Sequence, residues 1–564
     1  MNREIHINKK LLIPAPKNII RTIKKGLPII LLLFLTGLFV NCAGRQIGTL
    51  PKISNIAIPT NRTIVYQDSS LLKNDIIQFW ANAKINEWGE EGKIDFKIPR
   101  AIIGCLLAKK RIPEINAYLL KQYPTGEIGS KWLLNQKGGY DFTAMSIIPI
   151  LYLFADSTEL LYPQTKEHLI KHILTIRGPG FTRNVPRLCF QDSENHILMG
   201  EGARYLTNQW LCELGVELEG AYNNKLNGVE EGLKAYLQEI LQYGIYEYNA
   251  KPYLGYTYSA LMNLSAFARG EIQELATKIL DHINWQYALN SFNFKHLPPY
   301  RRRFKRSIDK SIYSDYHSVM LMMWASLKEK DLNLKITKGE HIALWATMLP
   351  YRPADDVLNW CLAKPNQYFV KIGHGHNSCP EICSGDSTFL LTSGGANQGR
   401  SSLIVPQPTV LFLADSAKTL KELFYLSNPD KDFMRWNNTG VYQDFACGKG
   451  SIHVPKNKKA EVDSCDWSIF PISKGLFLGV YSKKGTALLV IVRESSAKSA
   501  LSKIVKENPD HKMYKTQFMH PNGNLITYDL DAPKNTWVIK SVNGILTDRD
   551  FEKWPFFEGD IDGF

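Results

Sequence analysis

The chain has no P-loop, no dinucleotide-binding glycine fingerprint, no GxSxG elbow and no HExxH pair. Each of those spacings positions a phosphate, a nucleophile or a zinc ion for its chemistry, so their absence argues against nucleotide, nicotinamide and serine-hydrolase activities. Acidic residues are in short supply, 54 Asp and Glu against 68 Lys and Arg, for a formal net charge of +14. Part of that excess is local: Arg3, Lys9, Lys10, Lys17, Arg21, Lys24 and Lys25 face only Glu4, and the remainder is roughly +8. Such a surface is either a plain solvated one or one that attracts a polyanion, whether acidic polysaccharide, anionic lipid or nucleic acid. Cysteine is sparse as well, nine in 564 residues, and a chain this long does not need disulfides to build a core.

A hydrophobic content of 44% is ample for more than one core, and the length suggests two or three domains. After Lys24 and Lys25 comes GLPIILLLFLTGLFVNC, an apolar run of about 14 residues. It is short for a bilayer span and suits the apolar region of an export signal. The run ends at Cys42, and Leu38, Phe39, Val40 and Asn41 before it resemble a bacterial lipobox. That resemblance implies a signal peptide over 1–42, a lipid on Cys42 and a membrane-anchored place in the bacterial cell envelope, facing the periplasm or the cell surface. An ordinary secretory signal and an uncleaved anchor are the alternatives. Export would make Cys105, Cys189, Cys212, Cys361, Cys379, Cys383, Cys447 and Cys465 candidates for disulfides. Cys105 in AIIGCLLAKK and Cys212 in QWLCELG lie in apolar helical runs and read instead as buried thiols.

Beyond a linker over 43–70, the chain divides by hydrophobic period. Over 71–350, segments such as LLKNDIIQFWANA, VEEGLKAYLQEILQYG and EIQELATKILDHINWQYALN repeat apolar residues every three or four positions. Short turns with Gly or Pro separate them, which predicts antiparallel helical hairpins stacked or closed into a ring. Over 365–550 the period becomes two, as in PTVLFLADS and ALLVIVRE, with Gly, Asn and Asp at the turns. An antiparallel β-sandwich is expected there, because one apolar sheet face needs another. LPYRPADDVLNWCLAKPNQ reads as the hinge between the two regions.

In QDSENHILMGEGARYLTNQW, Asp192 and Ser193 can each cap a helix whose first turn holds Asn195 and His196. An amide beside an imidazole at such a place satisfies a turn or serves a site. Further on, YLGYTYSALMNLSAFA carries Tyr256 on a helical stripe with Tyr253, Ala260, Leu264 and Phe267. Helices followed by sheet, ENH at 194–196 and this tyrosine helix together resemble the alginate lyase and heparinase II-like polysaccharide lyase superfamily. The resemblance implies an α/α toroid followed by a β-sandwich, β-elimination on an acidic polysaccharide, and Asn195, His196 and Tyr256 as the catalytic residues. Where those lyases carry an arginine shortly before the tyrosine, this chain has Asn249 and Lys251.

Chemically, an amide can take up the charge that builds on a uronate carboxylate, a histidine can accept the neighbouring proton and a phenol can protonate the departing oxygen. Arg204 and Lys251 are the nearby cations, and Arg301, Arg302 and Arg303 of YRRRFKR form a basic loop suited to a polyanion or merely to solvent. His374 and His376 in KIGHGHNSCPEICSGD would share one face of a strand and line a groove. Zinc is possible there but not favoured, because the spacing to Cys379 and Cys383 fits no standard site, and no cofactor is expected. Trp436 in RWNNTGVYQDF is a candidate sugar-stacking group, or part of a hairpin turn. The partners expected are an acidic polysaccharide and a membrane, and no nucleic acid. Two other functions compete: a glycoside hydrolase using two of Asp141, Glu194, Glu201, Glu247 and Asp315 across a cleft, and a non-catalytic glycan-binding surface lipoprotein.

Overall fold

The structure is a computed structural model. It describes residues 70–561 except 86–98, 124–125, 174–175, 187, 217–219, 251–252, 301–311, 313–315, 329–331, 333, 365–366, 376–378, 395–408, 415–416 and 428–436. Cys42, residues 43–69 of the expected 43–70 linker, Lys251, Arg301, Arg302, Arg303, Asp315, His376 and Trp436 therefore lie outside the described residues.

Helices occupy the chain from Ser70 to Leu362, as the three- and four-residue spacing predicts. In the Gly270–Leu289 helix, Ile272, Leu275, Ala276, Ile279, Leu280 and Ile283 form one buried stripe. The Leu254–Phe267 helix is apolar on all sides because it is central, with every residue from Leu254 to Ser265 buried. It packs against the Asp141–Phe154, Glu194–Glu213, Gly270–Leu289, Tyr316–Lys328 and His341–Met348 helices. The His341–Met348 helix also returns to the first two described helices, Ser70–Ala81 and Arg100–Ala108. Those two approach closely at Gly104, where a Cβ would stand 2.5 Å from the Trp80 Cβ. Beside it Cys105 is a buried thiol that donates to the Ala81 carbonyl at 3.4 Å. Cys361, Cys383 and Cys447 are buried thiols too, and Cys189 and Cys465 are exposed ones. Among the described residues no helix is long and apolar enough to cross a membrane.

The segment expected to be a hinge is instead part of the helical core. It forms the Asp355–Leu362 helix, and Leu349, Tyr351, Val357, Leu358 and Trp360 are buried. Just past that helix, Lys364 is buried as well, with its ammonium donating to the carbonyls of Ala288 and Trp360. Burial lowers its pKa to about 8.

Antiparallel sheet runs from Tyr368 to Ile561. A seven-stranded sheet has the order Ser451–His453, Phe424–Ser427, Val410–Leu413, Phe389–Gly394, Glu381–Gly385, Tyr368–Ile372, Glu558–Ile561. A six-stranded sheet is built on the meander Trp467–Ser473, Leu476–Lys483 and Thr486–Arg493, and a four-stranded one spans 517–546. The strict alternation expected throughout fails in the first sheet, whose central strands are buried on both faces. Tyr368, Val370, Ile372, Leu390 and Phe412 join the helical core, while Phe369, Phe389, Leu391, Leu411 and Leu413 join a second core with the other sheets. Helices thus cover one face and strands the other, and neither face is left polar. The amphipathic Ala497–Glu507 helix, capped by Ser496 accepting from the Ser499 amide at 3.1 Å, interrupts the strands.

Because the seven-stranded sheet is common to both cores, the two regions should unfold together. Leu390→Ala opens a cavity toward the helices and Leu391→Ala one toward the second core, each costing about 2–5 kcal/mol. Both variants should show one denaturation transition, coincident by helical ellipticity and by calorimetry. Two separated transitions would mean that the sheet does not couple the regions.

Candidate functional site

The Glu194–Glu213 helix begins as its sequence suggests, but its cap does not. Ser193 has the extended N-cap conformation, yet its hydroxyl donates to Asn195 Oδ1 at 2.7 Å instead of accepting from the first turn. Asp192 is claimed from outside the helix, by the Ser130 amide at 2.9 Å and the Ser130 hydroxyl at 2.6 Å, and also accepts from the Ser193 amide at 2.8 Å. Neither residue caps in the expected way, because both side chains hold other groups in place. Asn195 is only 2% exposed, and among the described residues its Nδ2 has no hydrogen-bond partner. A buried donor left unmade costs about 1–3 kcal/mol, so this amide is poised for an acceptor.

His196 has its Nδ1 2.5 Å from Oδ2 of Asp141, the first residue of the Asp141–Phe154 helix. A fully buried carboxylate on Nδ1 fixes the tautomer and leaves Nε2 to act as the base. Burial alone would lower the pKa of His196, but the charge and hydrogen bond of Asp141, with the charges of Asp192 and Glu247, outweigh it and hold the value above the ordinary one. The imidazole keeps 12% of its surface exposed. Tyr256 is 1% exposed and comes close through Phe142, whose ring meets His196 edge-on at 5.5 Å and Tyr256 edge-on at 4.8 Å. On its far side Tyr256 stacks on His341 at 5.1 Å, and burial drives His341 down to a pKa of about 3, so that ring is neutral. The structure thus brings His196 and Tyr256 together about Phe142, with Asn195 next to His196 in the first turn of its helix. Sequence reasoning missed the groups that organise it, Phe142 and His341, and placed Asp141 only among the hydrolase carboxylates.

Two of the other carboxylates, Glu194 and Glu201, are committed to structure. Glu194, 9% exposed, accepts the amides of Tyr246 at 2.7 Å and Glu247 at 2.8 Å, tying the 246–247 loop to the helix start, and burial raises its pKa to about 7. Glu201 is likewise raised to about 7 by burial and lies 3.1 Å from Arg204, whose guanidinium also donates to the Pro179 carbonyl at 3.2 Å. Arg204 stands eight residues past His196, about 12 Å along the helix axis, and serves Glu201 there.

His374 is not on a strand. The strand ends at Ile372, the Gly373 amide donates to the Pro555 carbonyl at 3.0 Å, and Gly375 has a φ of +70°, so the chain leaves the sheet before His374. His374 is buried between helices and sheet, with Nδ1 at 2.9 Å from the Tyr243 carbonyl, Nε2 at 2.8 Å from Glu381 Oε1, and its ring stacked on Tyr248 at 4.2 Å. The buried Glu381 also accepts from Asn249 at 2.7 Å, Asn290 at 3.1 Å and Gln286. This is a closed polar cluster rather than a groove lining. Among the described residues no group of three His, Cys, Asp or Glu is placed to hold a metal ion.

The raised groups, His196, Glu194 and Glu201, act in one direction. A raised histidine contributes stability that is lost as pH rises through its folded pKa, and a raised carboxylate likewise makes the folded state lose ground as pH climbs. The thermal stability that protonated Glu201 contributes should therefore be lost along a falling slope as pH rises from about 4.5 to about 7. Glu201→Gln should flatten that slope, by on the order of 2–3 kcal/mol over the full titration. In a histidine NMR titration, Asp141→Asn should bring the pKa of His196 down, and an unmoved value would show that Asp141 does not control it. Comparison of the chain with protein-family models, curated proteins and solved structures gives no match.

Proposed function

We propose that this chain is an exported, lipid-anchored lyase that cleaves a uronate-containing polysaccharide by β-elimination, built as an α/α toroid followed by a β-sandwich. The observation that carries the reading is the Asp141–His196 contact with the unmatched Asn195 amide beside it. Elimination needs a base for the proton on the carbon next to the uronate carboxylate, and a donor for the charge that collects on that carboxylate. His196 Nε2 takes the proton, the carbon–carbon double bond forms as the bond to the bridging oxygen breaks, and the Tyr256 phenol protonates that oxygen. Asn195 Nδ2 hydrogen-bonds the carboxylate while this happens. The toroid is supported by the return of the His341–Met348 helix to Ser70–Ala81. Lipid anchoring rests on the basic segment, the apolar run and Cys42 that ends it.

Two-carboxylate hydrolysis is less well served. Asp141 is engaged with His196, Glu194 with two amides and Glu201 with Arg204, so all three carboxylates already hold partners of another kind. A non-catalytic glycan binder has no need of a base held in one tautomer.

The product of elimination carries a double bond conjugated with its carboxylate, so ultraviolet absorbance over a panel of alginate, heparin-like and chondroitin-like polymers tests the activity directly. His196→Ala should lower the rate about 100- to 10,000-fold. Tyr256→Phe should do the same with the fold intact. A loss confined to Tyr253→Phe would move the proton donor to the half-buried Tyr253. Reducing-end release without unsaturation would favour hydrolysis instead. Mass spectrometry of the membrane-extracted chain should find an acylated Cys42 as the first residue, and an unmodified thiol there would remove the lipid anchor.

A further inference from the structure

A hairpin that the proposed mechanism does not use stands beside the catalytic pair. Residues 131–137 read KWLLNQK. The turn is closed by two hydrogen bonds between Trp132 and Asn135, amide to carbonyl at 3.1 Å and 3.0 Å, and its base by the Glu127 amide on the Lys137 carbonyl at 2.5 Å. Asn135, 3% exposed, fills the inside and donates to the carbonyls of Ile128 and Ser130, each at 3.2 Å. The tip is therefore a fixed feature, yet it carries Trp132 at 41% exposure, Leu133 at 85% and Leu134 at 66%. Across from it Phe190, also 41% exposed, meets the Trp132 ring at 4.9 Å.

An apolar ledge of this kind is costly in water unless something covers it. Its position says what. Ser130, at the start of the hairpin, is bonded to Asp192, four residues before His196. At the other end Tyr140, whose amide donates to the Glu127 carbonyl at 2.9 Å, immediately precedes Asp141, the partner of His196. The hairpin is thus fastened to both halves of the Asp141–His196 contact, and an extended substrate reaching His196 passes close to it. Lys131 and Lys137 flank the aromatic residue and are exposed. A pyranose ring presents a C–H face to an aromatic ring, and a uronate presents a carboxylate to an ammonium.

We propose that Trp132 and Phe190 form a stacking subsite for a sugar ring of an acidic polysaccharide, with Lys131 and Lys137 receiving its carboxylates. Leu133 and Leu134 extend the ledge along the bound strand. The substrate class rests on the elimination reading above, whereas the subsite can be measured without catalysis. Neither aromatic residue belongs to the catalytic set, and both are exposed, so their replacement leaves the fold in place.

The test uses the full chain in detergent and four probes, alginate, heparin, hyaluronan and chondroitin sulfate, with dextran as the neutral control. In affinity gels at least one acidic polymer should retard the wild type, and dextran should not. Trp132→Ala and Phe190→Ala should each weaken that retardation about tenfold or more, with Trp132→Tyr restoring most of it. Bound polymer should also slow alkylation of the exposed Cys189, next to Phe190, but not of the exposed Cys465. With a polymer that yields unsaturated product, the alanine variants should raise KM and leave kcat within about twofold. Unsaturated product with unchanged KM and unchanged retardation in both variants overturns the subsite and leaves the elimination reading standing. Retardation lost in the variants with no unsaturated product from any probe does the reverse. Binding to anionic phosphatidylglycerol vesicles that is abolished by Leu133→Ser and Leu134→Ser, with no retardation by any polymer, overturns the subsite in favour of a bilayer.

Discussion

Burial of the central strands of the seven-stranded sheet on both faces is the constraint on which the rest of this fold depends. A strand with one face toward helices and the other toward a second sheet has no solvent side, so every residue must serve one core or the other. Tyr368, Val370 and Ile372 turn one way and Phe369 the other, which commits the strand to a single register, because a slip of one residue would exchange the two sets. Polar groups caught in this layer need internal partners. Glu381 lies at the start of one such strand and is fully buried, and four side chains from elsewhere in the chain answer it.

The same logic explains where the candidate site lies. Asn249, which gives its amide to Glu381 and to the Pro299 carbonyl, closes a loop whose other end is held by Glu194. Two residues just before Asn195 and His196 are in this way bonded to distant segments, Asp192 to Ser130 and Glu194 to 246–247. Asn195 and His196 follow directly on these two fixed points, and Asp141 holds His196 from a third. Their geometry is set by carboxylates that are themselves buried, not by the helix alone.

The helical half was legible in the sequence because a three- to four-residue apolar period has one structural meaning over a dozen residues. The sheet half was legible as strands but not as layers, since runs such as FLLTSGG lack a polar face and give no sign of what covers each side. Asn195 and His196 stood out because polar residues in the first turn of a helix otherwise rich in core positions need a reason. Asp141 could not be matched to His196 from spacing, as 55 residues separate them and only the packing of two helices brings them together. The two glycines around His374 were the available sign against a strand there, since Gly375 occupies the left-handed region and a Cβ on it would stand 2.7 Å from the Tyr243 ring. The ring of helical hairpins was inferred from turn lengths, and turn lengths say which helices are neighbours without saying whether the series closes.

Lys364 stands where the helical region gives way to the sheet. Its ammonium meets the Ala288 carbonyl, in the last turn of one helix, and the Trp360 carbonyl, in the last turn of another. Both helix ends carry partial negative charge, and Lys364 answers one carbonyl at each. One cation therefore serves as a common terminus for two helices that are far apart in sequence. Their lengths and their mutual placement become a single quantity, so neither helix could gain or lose a turn without unseating the other.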